Sequence, residues 1–278
     1  MECQKSIKDK VKISPIIMGI LNVTPDSFYD GGKWTEIEHA IERVKEMIFQ
    51  GAYIIDIGGM SSRPGADIIS SDEELRRILP VLKEIKKQFS EIVISIDTVH
   101  SSTAEVCLKN GANVINDISG GQYDIKMYDV IAEYVAEYVV MHMKGTPSTM
   151  QAQTTYEDIT QELQHYFSER LDKLYHLGIK NIVLDPGFGF SKTVEQNYKL
   201  LHDLELFKSL DLPLLVGFSR KSMIQKTINE KAENTLNGTT ALNTIALMKG
   251  ANILRVHDVK EAKEAIQLYN AVFHSAIK

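Results

Sequence analysis

Short apolar segments recur along the chain, and each ends in a polar or glycine-rich cluster. Most of these segments are almost continuously apolar, which is typical of parallel strands covered on both faces rather than of strands with one face in water. The pattern predicts eight strands, at Ile16–Leu21, Tyr53–Ile57, Ile92–Ile96, Ala112–Ile115, Tyr138–Met141, Asn181–Leu184, Pro213–Val216 and Ala251–Leu254.

Amphipathic helices are predicted between the strands. In the first, Thr35 stands as the N-cap and apolar residues recur at helical spacing from Ile37 to Ile48. In the second, Ser71 is the predicted N-cap and Glu74 completes a capping box. The other predicted helices are Ser101–Lys109, Ile125–Ala136, Tyr156–Leu177, Val194–Phe207, Thr239–Met248 and Val259–Phe273. Several helices should end at a C-cap glycine, as at Gly51, Gly111, Gly178 and Gly250.

Eight alternating strand–helix units within 278 residues predict an α/β fold, a single (β/α)8 TIM barrel. A doubly wound open sheet is the alternative. We expect one domain over residues 1–278, with a short N-terminal extension of about residues 1–14. In a barrel of this kind the active site lies at the C-terminal ends of the strands, where the connecting loops meet.

The composition restricts the function without changing the fold. A hydrophobic fraction of 44% and a charged fraction of 24% are those of a globular protein, and they exclude a disordered or fibrous chain. The net charge of −6 argues against non-specific binding of nucleic acid or anionic membranes, but not against a small anionic ligand. The first residues contain no apolar signal segment, and two cysteines suggest neither a disulfide framework nor a zinc site. A cytoplasmic location is expected.

Polar side chains follow every predicted strand. Acceptor groups follow the third, fourth and sixth strands, whereas donor groups follow the seventh and eighth, where barrels often bind phosphate. The acceptors are Asp97, Asn116 and Asp185, and the donors are Lys221, Arg255 and His257. Because a carboxylate binds a paired N–H edge bidentately, such a site suits a ligand with a donor-rich edge at one end and an anion at the other.

Other strand-end residues receive different predictions. Asp56 and Asp117 are expected to fix neighbouring side chains or loops rather than to contact a ligand. His142 is expected to pack at a strand end around a ligand, since a single histidine does not make a metal site. Two loops, residues 22–32 and 59–66, are predicted to be mobile lids because turn chemistry does not explain their aromatic and arginine residues.

The chain resembles the dihydropteroate synthases of the folate pathway, which are pterin-binding TIM barrels. The resemblance extends from about Ile16 to Val259, and the loops after the first, second and seventh strands carry its most specific motifs. The matching segments are IMGILNVTPDSFYDGG, IIDIGGMSSRPGA, ISIDT, NVINDISGG, YVVMHMKGTPSTMQ, IVLDPGFGFSK, LLVGFSRKSMI and ANILRVHDV. It implies that 7,8-dihydropterin-6-ylmethyl diphosphate and 4-aminobenzoate condense to 7,8-dihydropteroate and diphosphate with the help of Mg²⁺.

The resemblance also implies a role for individual residues. The pterin would be held by Asp97, Asn116, Asp185 and Lys221, and its diphosphate by Ser62, Arg255 and His257. Asn22 would ligate Mg²⁺ together with substrate phosphates and water. The 4-aminobenzoate pocket, for which sulfonamides compete, would comprise Phe28, Arg63, Pro64, Phe190, Ser219 and Ser222. The residues closest to the chemistry would be Asp97, Asp185, Lys221 and Asp30, and Asp30 and Arg63 lie on loops that close over substrates in the family.

The family's reaction is expected to be SN1-like, because stabilisation of the leaving diphosphate and of a methylene cation on the pterin removes the need for a strong base. Ser62 stands where the family usually has threonine, which keeps the hydroxyl. Two alternatives remain: a pterin-binding methyltransferase acting on methyltetrahydrofolate, and a non-catalytic pterin-binding paralogue. The resemblance further implies a homodimer, and neither nucleic acid nor membrane is an expected partner.

Overall fold

The computed structural model describes residues 6–24 and 33–273, and residues 33–36 by backbone alone. In this part of the chain eight strands alternate with helices. The strands are β1 Ile16–Asn22, β2 Ile54–Gly58, β3 Val93–Asp97, β4 Val114–Asp117, β5 Glu137–Met141, β6 Ile182–Asp185, β7 Leu215–Val216 and β8 Ile253–Val256. The helices are α1 Ile7–Val11, α2 Lys33–Gln50, α3 Ser71–Gln88, α4 Ser101–Lys109, α5 Met127–Tyr134, α6 Ile159–His176, α7 Val194–His202, α8 Ser222–Ile228, α9 Leu236–Met248 and α10 Val259–Phe273.

The eight strands form a barrel. Their order around the sheet is β6-β5-β4-β3-β2-β1-β8-β7, and all pairs are parallel. The two ends of the sheet meet at a parallel bridge between Leu184, in β6, and Leu214, just before β7. This arrangement confirms the predicted (β/α)8 barrel rather than the open sheet.

Apolar side chains fill both faces of the strands, which explains why the strand segments lack polar alternation. One set lies inside the barrel and includes Met18, Ile54, Val114 and Leu215. The larger set lies between the strands and the surrounding helices. Ile7 of α1 packs against the interior set, and its N–H donates to Glu137 Oε1 at 2.9 Å. The interior is therefore a packed core, and in a barrel of this kind the active site lies at the polar C-terminal end of the strands.

Two predicted N-caps are wrong. Helix α2 begins at Lys33, so Thr35 is already inside the helix. The N-cap of α3 is Ser70, whose side chain accepts a hydrogen bond from the N–H of Glu73, and not Ser71. Glu74 is instead buried, where its Oε2 accepts a hydrogen bond from Thr98 Oγ1 at 2.6 Å. Ser71 is the first residue of the helix.

The predicted C-cap glycines are confirmed by positive φ angles, which are 107° at Gly51, 96° at Gly111, 77° at Gly178 and 101° at Gly250. The short helices α1 and α8 were not predicted, because neither is long enough to display a helical period. None of the described helices is long and apolar enough to cross a membrane.

Candidate active site

Strand register places the polar residues of the first four strands in one row. Asn22 is paired with Gly58, Gly58 with Asp97, and Asp97 with Asn116. Gly58 leaves space in this row, because a Cβ built there would lie 3.5 Å from Asn22 Oδ1 and 3.6 Å from the Cβ of Asp97. The C-terminal end of the barrel therefore carries a row of oxygen acceptors, Asn22, Asp97 and Asn116, with an open space at Gly58.

Arg255 reaches across the barrel from β8 to this row. Its Nε donates to Asp56 Oδ2 and its Nη2 to Asp97 Oδ2, both at 2.7 Å. Asp56 Oδ2 also accepts a hydrogen bond from Asn116 Nδ2 at 3.1 Å. Asp56 is fully buried, so it orients Arg255 and Asn116 from below, as predicted for a residue that does not itself contact the ligand.

Two acceptor atoms in this network have no hydrogen-bond partner in the described part of the chain. They are Asp56 Oδ1 and Asn116 Oδ1, and both are inaccessible to solvent. A buried acceptor without a partner costs free energy, roughly 1–3 kcal/mol, unless a bound molecule supplies the missing donor. The described protein donors therefore leave the network of Arg255, Asp56 and Asn116 incompletely paired.

Asp185 is the last residue of β6, and Lys221 lies in the loop after β7, close enough for their charges to interact. Asp185 Oδ1 accepts a hydrogen bond from the N–H of Gly187 at 2.7 Å, while Lys221 Nζ donates to the carbonyl oxygen of Phe188. The same ammonium lies 4.8 Å from the centre of the Phe190 ring, a cation–π contact. One cation thus contacts both the acceptor-lined end of the barrel and an aromatic wall.

The electrostatics of these groups follow from burial. Desolvation raises the pKa of Asp97 to about 7, although the neighbouring Arg255 acts in the opposite direction. Desolvation lowers the pKa of Lys221 to about 8, and the negative charge of Asp185 limits that decrease. Both groups titrate close to neutral pH, which is typical of functional residues.

His257 lies in a cationic environment beyond the end of β8. Its pKa is lowered to about 4, first by burial and then by the charges of Arg255 and Arg220, so its ring is neutral at pH 7. Its carbonyl oxygen accepts a hydrogen bond from Arg43 Nη2 at 2.6 Å, and Arg220 forms an ion pair with Asp258 at 3.1 Å. Guanidinium groups, which still have N–H donors beyond those used in their ion pairs, suit an anion such as a phosphate.

Comparison with known proteins agrees with this geometry. A profile of the family described as pterin binding enzyme matches residues 18–257. A dihydropteroate synthase from Escherichia coli strain K12 is 44% identical over 259 residues, which are 92% of this chain and 91% of the relative. The chain belongs to the dihydropteroate synthase family.

Solved structures of dihydropteroate synthases have the same fold. The crystal structure from Clostridium difficile, determined in the presence of pteroic acid, has a TM-score of 0.89 and 42% identity, and covers 94% of this chain and 97% of that one. The structure from Yersinia pestis, a complex with a sulfonamide drug, has a TM-score of 0.88 and 39% identity, and covers 94% of each chain. Activity within this family is that of a transferase.

The second loop carries three of the residues that dihydropteroate synthases are expected to use. Ser62 is half-buried, whereas Arg63 and Pro64 are exposed. The loop is held at one end, where Arg77 Nη1 donates to the carbonyl oxygen of Gly59 at 2.9 Å. At its tip, the N–H of Gly65 donates to the carbonyl oxygen of Pro147 at 3.1 Å. The loop therefore rests on the connection after β5.

The other predicted members of the 4-aminobenzoate pocket differ in how deeply they are buried. Phe190 and Ser219 are buried, and Ser219 Oγ accepts a hydrogen bond from the N–H of His257 at 3.3 Å. Ser222 is the exposed first residue of α8, directly after Lys221. Phe28 and Asp30 lie outside the described residues. The described members thus lie on the loops after β2, β6 and β7.

Asp117 and His142 have the structural roles that were predicted. Asp117 accepts hydrogen bonds from the Ser119 N–H and hydroxyl, from the Gly121 N–H and from the Tyr138 hydroxyl, so it fixes the loop after β4. His142 is 3% exposed and packs edge-to-face against Tyr166. Lys192, whose Nζ lies 3.1 Å from His142 Nδ1, was not predicted from the sequence to belong to the site.

The oxygen ligands at this end of the barrel fit a Mg²⁺ ion that is bound mainly by substrate and water. No group of three or more metal-binding side chains occurs among the described residues, so a site made entirely of protein ligands has no support there. Asn22 supplies one amide oxygen beside Asp97 at the end of the barrel. Mg²⁺ commonly takes one or two protein oxygens and completes its octahedral shell with substrate phosphates and water.

Proposed function

We propose that this chain condenses 7,8-dihydropterin-6-ylmethyl diphosphate with 4-aminobenzoate to form 7,8-dihydropteroate and diphosphate. The observation that carries the proposal is the set of acceptors at one end of the barrel, beside the cations of two neighbouring strand ends: the acceptors are Asp97, Asn116 and Asp185, and the cations are Lys221 and Arg255. The pterin supplies the N–H donors, and its diphosphate supplies the anion. The Clostridium difficile relative was crystallised with pteroic acid, which supports this choice of ligand.

Each group has a role in the proposed reaction. Asn116, Asp97 and Asp185 accept N–H groups of the pterin, and Lys221 donates to its acceptor atoms. Arg255 uses two of its five N–H groups on Asp56 and Asp97, so the others remain for the substrate. Neutral His257 can donate one N–H to the diphosphate, and the hydroxyl of Ser62 another.

Bond breaking is favoured because the negative charge of the departing diphosphate develops beside guanidinium groups that are already oriented. The electron-rich pterin ring delocalises the methylene cation, and Asp97 and Asp185 stabilise it. The neutral amine of 4-aminobenzoate, in the pocket that includes Phe190, Arg63 and Pro64, then attacks the cation to form the new C–N bond and releases a proton to water. Mg²⁺ bound by Asn22 and the diphosphate would neutralise further charge on the leaving group.

The test is release of pyrophosphate from the pterin diphosphate, with and without Mg²⁺ and 4-aminobenzoate. We expect release to depend on Mg²⁺ and a dihydropteroate product to form when 4-aminobenzoate is present. A sulfonamide should inhibit competitively with 4-aminobenzoate, as the Yersinia pestis complex suggests. Binding of the pterin without release would favour the non-catalytic paralogue, and methyl transfer from methyltetrahydrofolate would favour the methyltransferase.

We also propose that the chain forms a homodimer through α9 and α10. Ile245 and Met248 on α9, and Leu268 and Val272 on α10, are all exposed, and the two helices are packed side by side. An apolar surface of this kind is typical of an interface. Sedimentation velocity should give twice the mass of the 31.3 kDa chain, and the double substitution Met248→Glu and Leu268→Glu should give the monomer. A wild-type monomer at micromolar concentration would contradict the proposal.

Two further properties stay predictions. A single domain over residues 1–278 is proposed from the rhythm of strands and helices. The cytoplasmic location is proposed because the substrates belong to the folate pathway.

A further inference from the structure

The connection from β6 to α7 has an unusual backbone. Gly187, Gly189 and Ser191 all have positive φ angles, of 71°, 83° and 48°. Gly187 must be glycine, because a Cβ there would lie 2.1 Å from the carbonyl oxygen of His142. The alternating left-handed residues turn successive carbonyl groups to different sides of the loop. Some of these carbonyls therefore face the end of the barrel, and others face the protein interior.

Lys192 holds the carbonyl groups on the interior side. Its Nζ donates to the carbonyl oxygens of Gly187 at 2.9 Å and of Phe190 at 3.0 Å. It also lies 3.1 Å from His142 Nδ1 and 3.4 Å from the carbonyl oxygen of the same residue. Lys192 is only 4% exposed, so neutral acceptors replace the whole hydration shell of its ammonium group.

The burial of this lysine is costly. In the described part of the chain no carboxylate forms an ion pair with Lys192 within 4.0 Å. Desolvation lowers its pKa well below the usual value, and the more distant Asp185 opposes that effect. Packing alone would be served at least as well by an apolar side chain of similar size. The retention of a buried ammonium group therefore requires a reason beyond filling space.

The opposite side of the same loop faces the substrates. The carbonyl oxygen of Phe188 accepts a hydrogen bond from Lys221, and the Phe190 ring lies beside the same ammonium. Two lysines thus bind the loop from its two sides, one inside the protein and one at the end of the barrel. The carbonyl oxygen of Phe190 is fixed by Lys192, and its ring forms part of the proposed 4-aminobenzoate pocket.

We propose that Lys192 is a positioning residue for the 4-aminobenzoate pocket, acting through its hydrogen bonds to the carbonyl oxygens of Gly187 and Phe190. These bonds set the position of the Phe190 ring. His142 contributes by presenting Nδ1 as an acceptor, which its neutral ring can do; its pKa is lowered well below the usual value by burial and by the charge of Lys192. The inference rests on the proposed location of 4-aminobenzoate beside Phe190.

The test compares steady-state constants of Lys192→Met, which keeps the length but not the donors, with those of the wild type. We expect KM for 4-aminobenzoate, and the inhibition constant of a sulfonamide, to rise about tenfold. KM for the pterin diphosphate should change by less than about threefold, because Lys221 and Asp185 remain. Lys192→Gln keeps two donors and should give an intermediate rise. The exposed Lys83→Met on α3 is the matched control and should behave as the wild type.

Two outcomes would overturn the proposal. One is an unchanged KM for 4-aminobenzoate in a folded Lys192→Met or Lys192→Gln enzyme. The other is a failure of both variants to fold, since Lys192 would then serve the whole barrel rather than this pocket. Phe190→Leu separates the inference from its premise. If that variant also binds 4-aminobenzoate normally, the location of the pocket is wrong; if it alone binds weakly, the pocket is right and the role of Lys192 is wrong.

Discussion

Replacing Lys221 with methionine should lower kcat/KM for the pterin diphosphate by about 100-fold. The substitution removes a half-buried charge and its three donors but keeps the length of the side chain. In the wild type, Asp185 interacts with the charge of Lys221. In the variant its described hydrogen bond from the N–H of Gly187 would remain, but that charge would be lost. Burial already raises the pKa of Asp185, so the loss of the cation should also make this carboxyl easier to protonate.

The pH dependence of the wild-type enzyme gives an independent measure of the same effect. The pKa of Lys221 is about 8 and the pKa of Asp97 is about 7. Binding requires the ammonium form of the first and the carboxylate form of the second. Accordingly, kcat/KM should fall as the pH rises above about 8 and as it drops below about 7, since this ratio reports the free enzyme. In the Lys221→Arg variant kcat/KM should not fall above pH 8, whatever its absolute value, because arginine does not lose its proton in that range.

Lys226, exposed in the last turn of α8, provides the matched control, and Lys226→Met should leave both the rate and the pH profile unchanged. Isothermal titration with a pterin ligand would show whether the loss lies in binding. An affinity of Lys221→Met within threefold of the wild type would contradict the assignment of Lys221 to the pterin.

Much of the fold could be predicted from the sequence because the patterns that indicate strands and helices lie within short stretches of the chain. Each barrel strand is buried on both faces, so it appears as an apolar run, and each polar strand end follows directly in the chain. Asp97, Asn116 and Asp185 were therefore identified by position alone, and the structure places them at one end of the barrel. The boundaries of α4 and α10 were also predicted correctly, at Ser101–Lys109 and Val259–Phe273.

What could not be predicted depends on contacts between distant segments. From the sequence, Lys192 would be taken for an exposed lysine just before a helix. The backbone turn through Gly187 and Gly189 places it instead on the interior side of the loop between β6 and α7. The cap of α3 was misassigned because nothing local shows that Glu74 is buried against Thr98. Similarly, the sequence suggested a supporting role for Asp56 but not its partner Arg255, which is 199 residues away in the chain.

Replacing Asp56 with alanine should both destabilise the protein and weaken pterin binding. The carboxylate is fully buried and accepts hydrogen bonds from Arg255 Nε and Asn116 Nδ2. The substitution removes one of the two carboxylates of Arg255 and leaves the buried Asn116 amide without its acceptor, so the free energy of unfolding should fall by about 3 kcal/mol. Arg255 would then be free to pair with Asp97 through both oxygens, which would remove an acceptor that the pterin needs. We expect kcat/KM for the pterin diphosphate to fall at least about tenfold.

The variant Asp117→Ala separates the loss of stability from the loss of pterin binding. Asp117, at the end of β4, is as buried as Asp56, but it accepts its hydrogen bonds from the loop after β4 and from Tyr138. It should lose comparable stability, measured by urea unfolding, with a much smaller change in KM for the pterin diphosphate. Equal changes in KM for the two variants would mean that Asp56 acts only through stability. A rise in KM that occurs only in Asp56→Ala would mean that this carboxylate keeps some N–H groups of Arg255 available for the substrate.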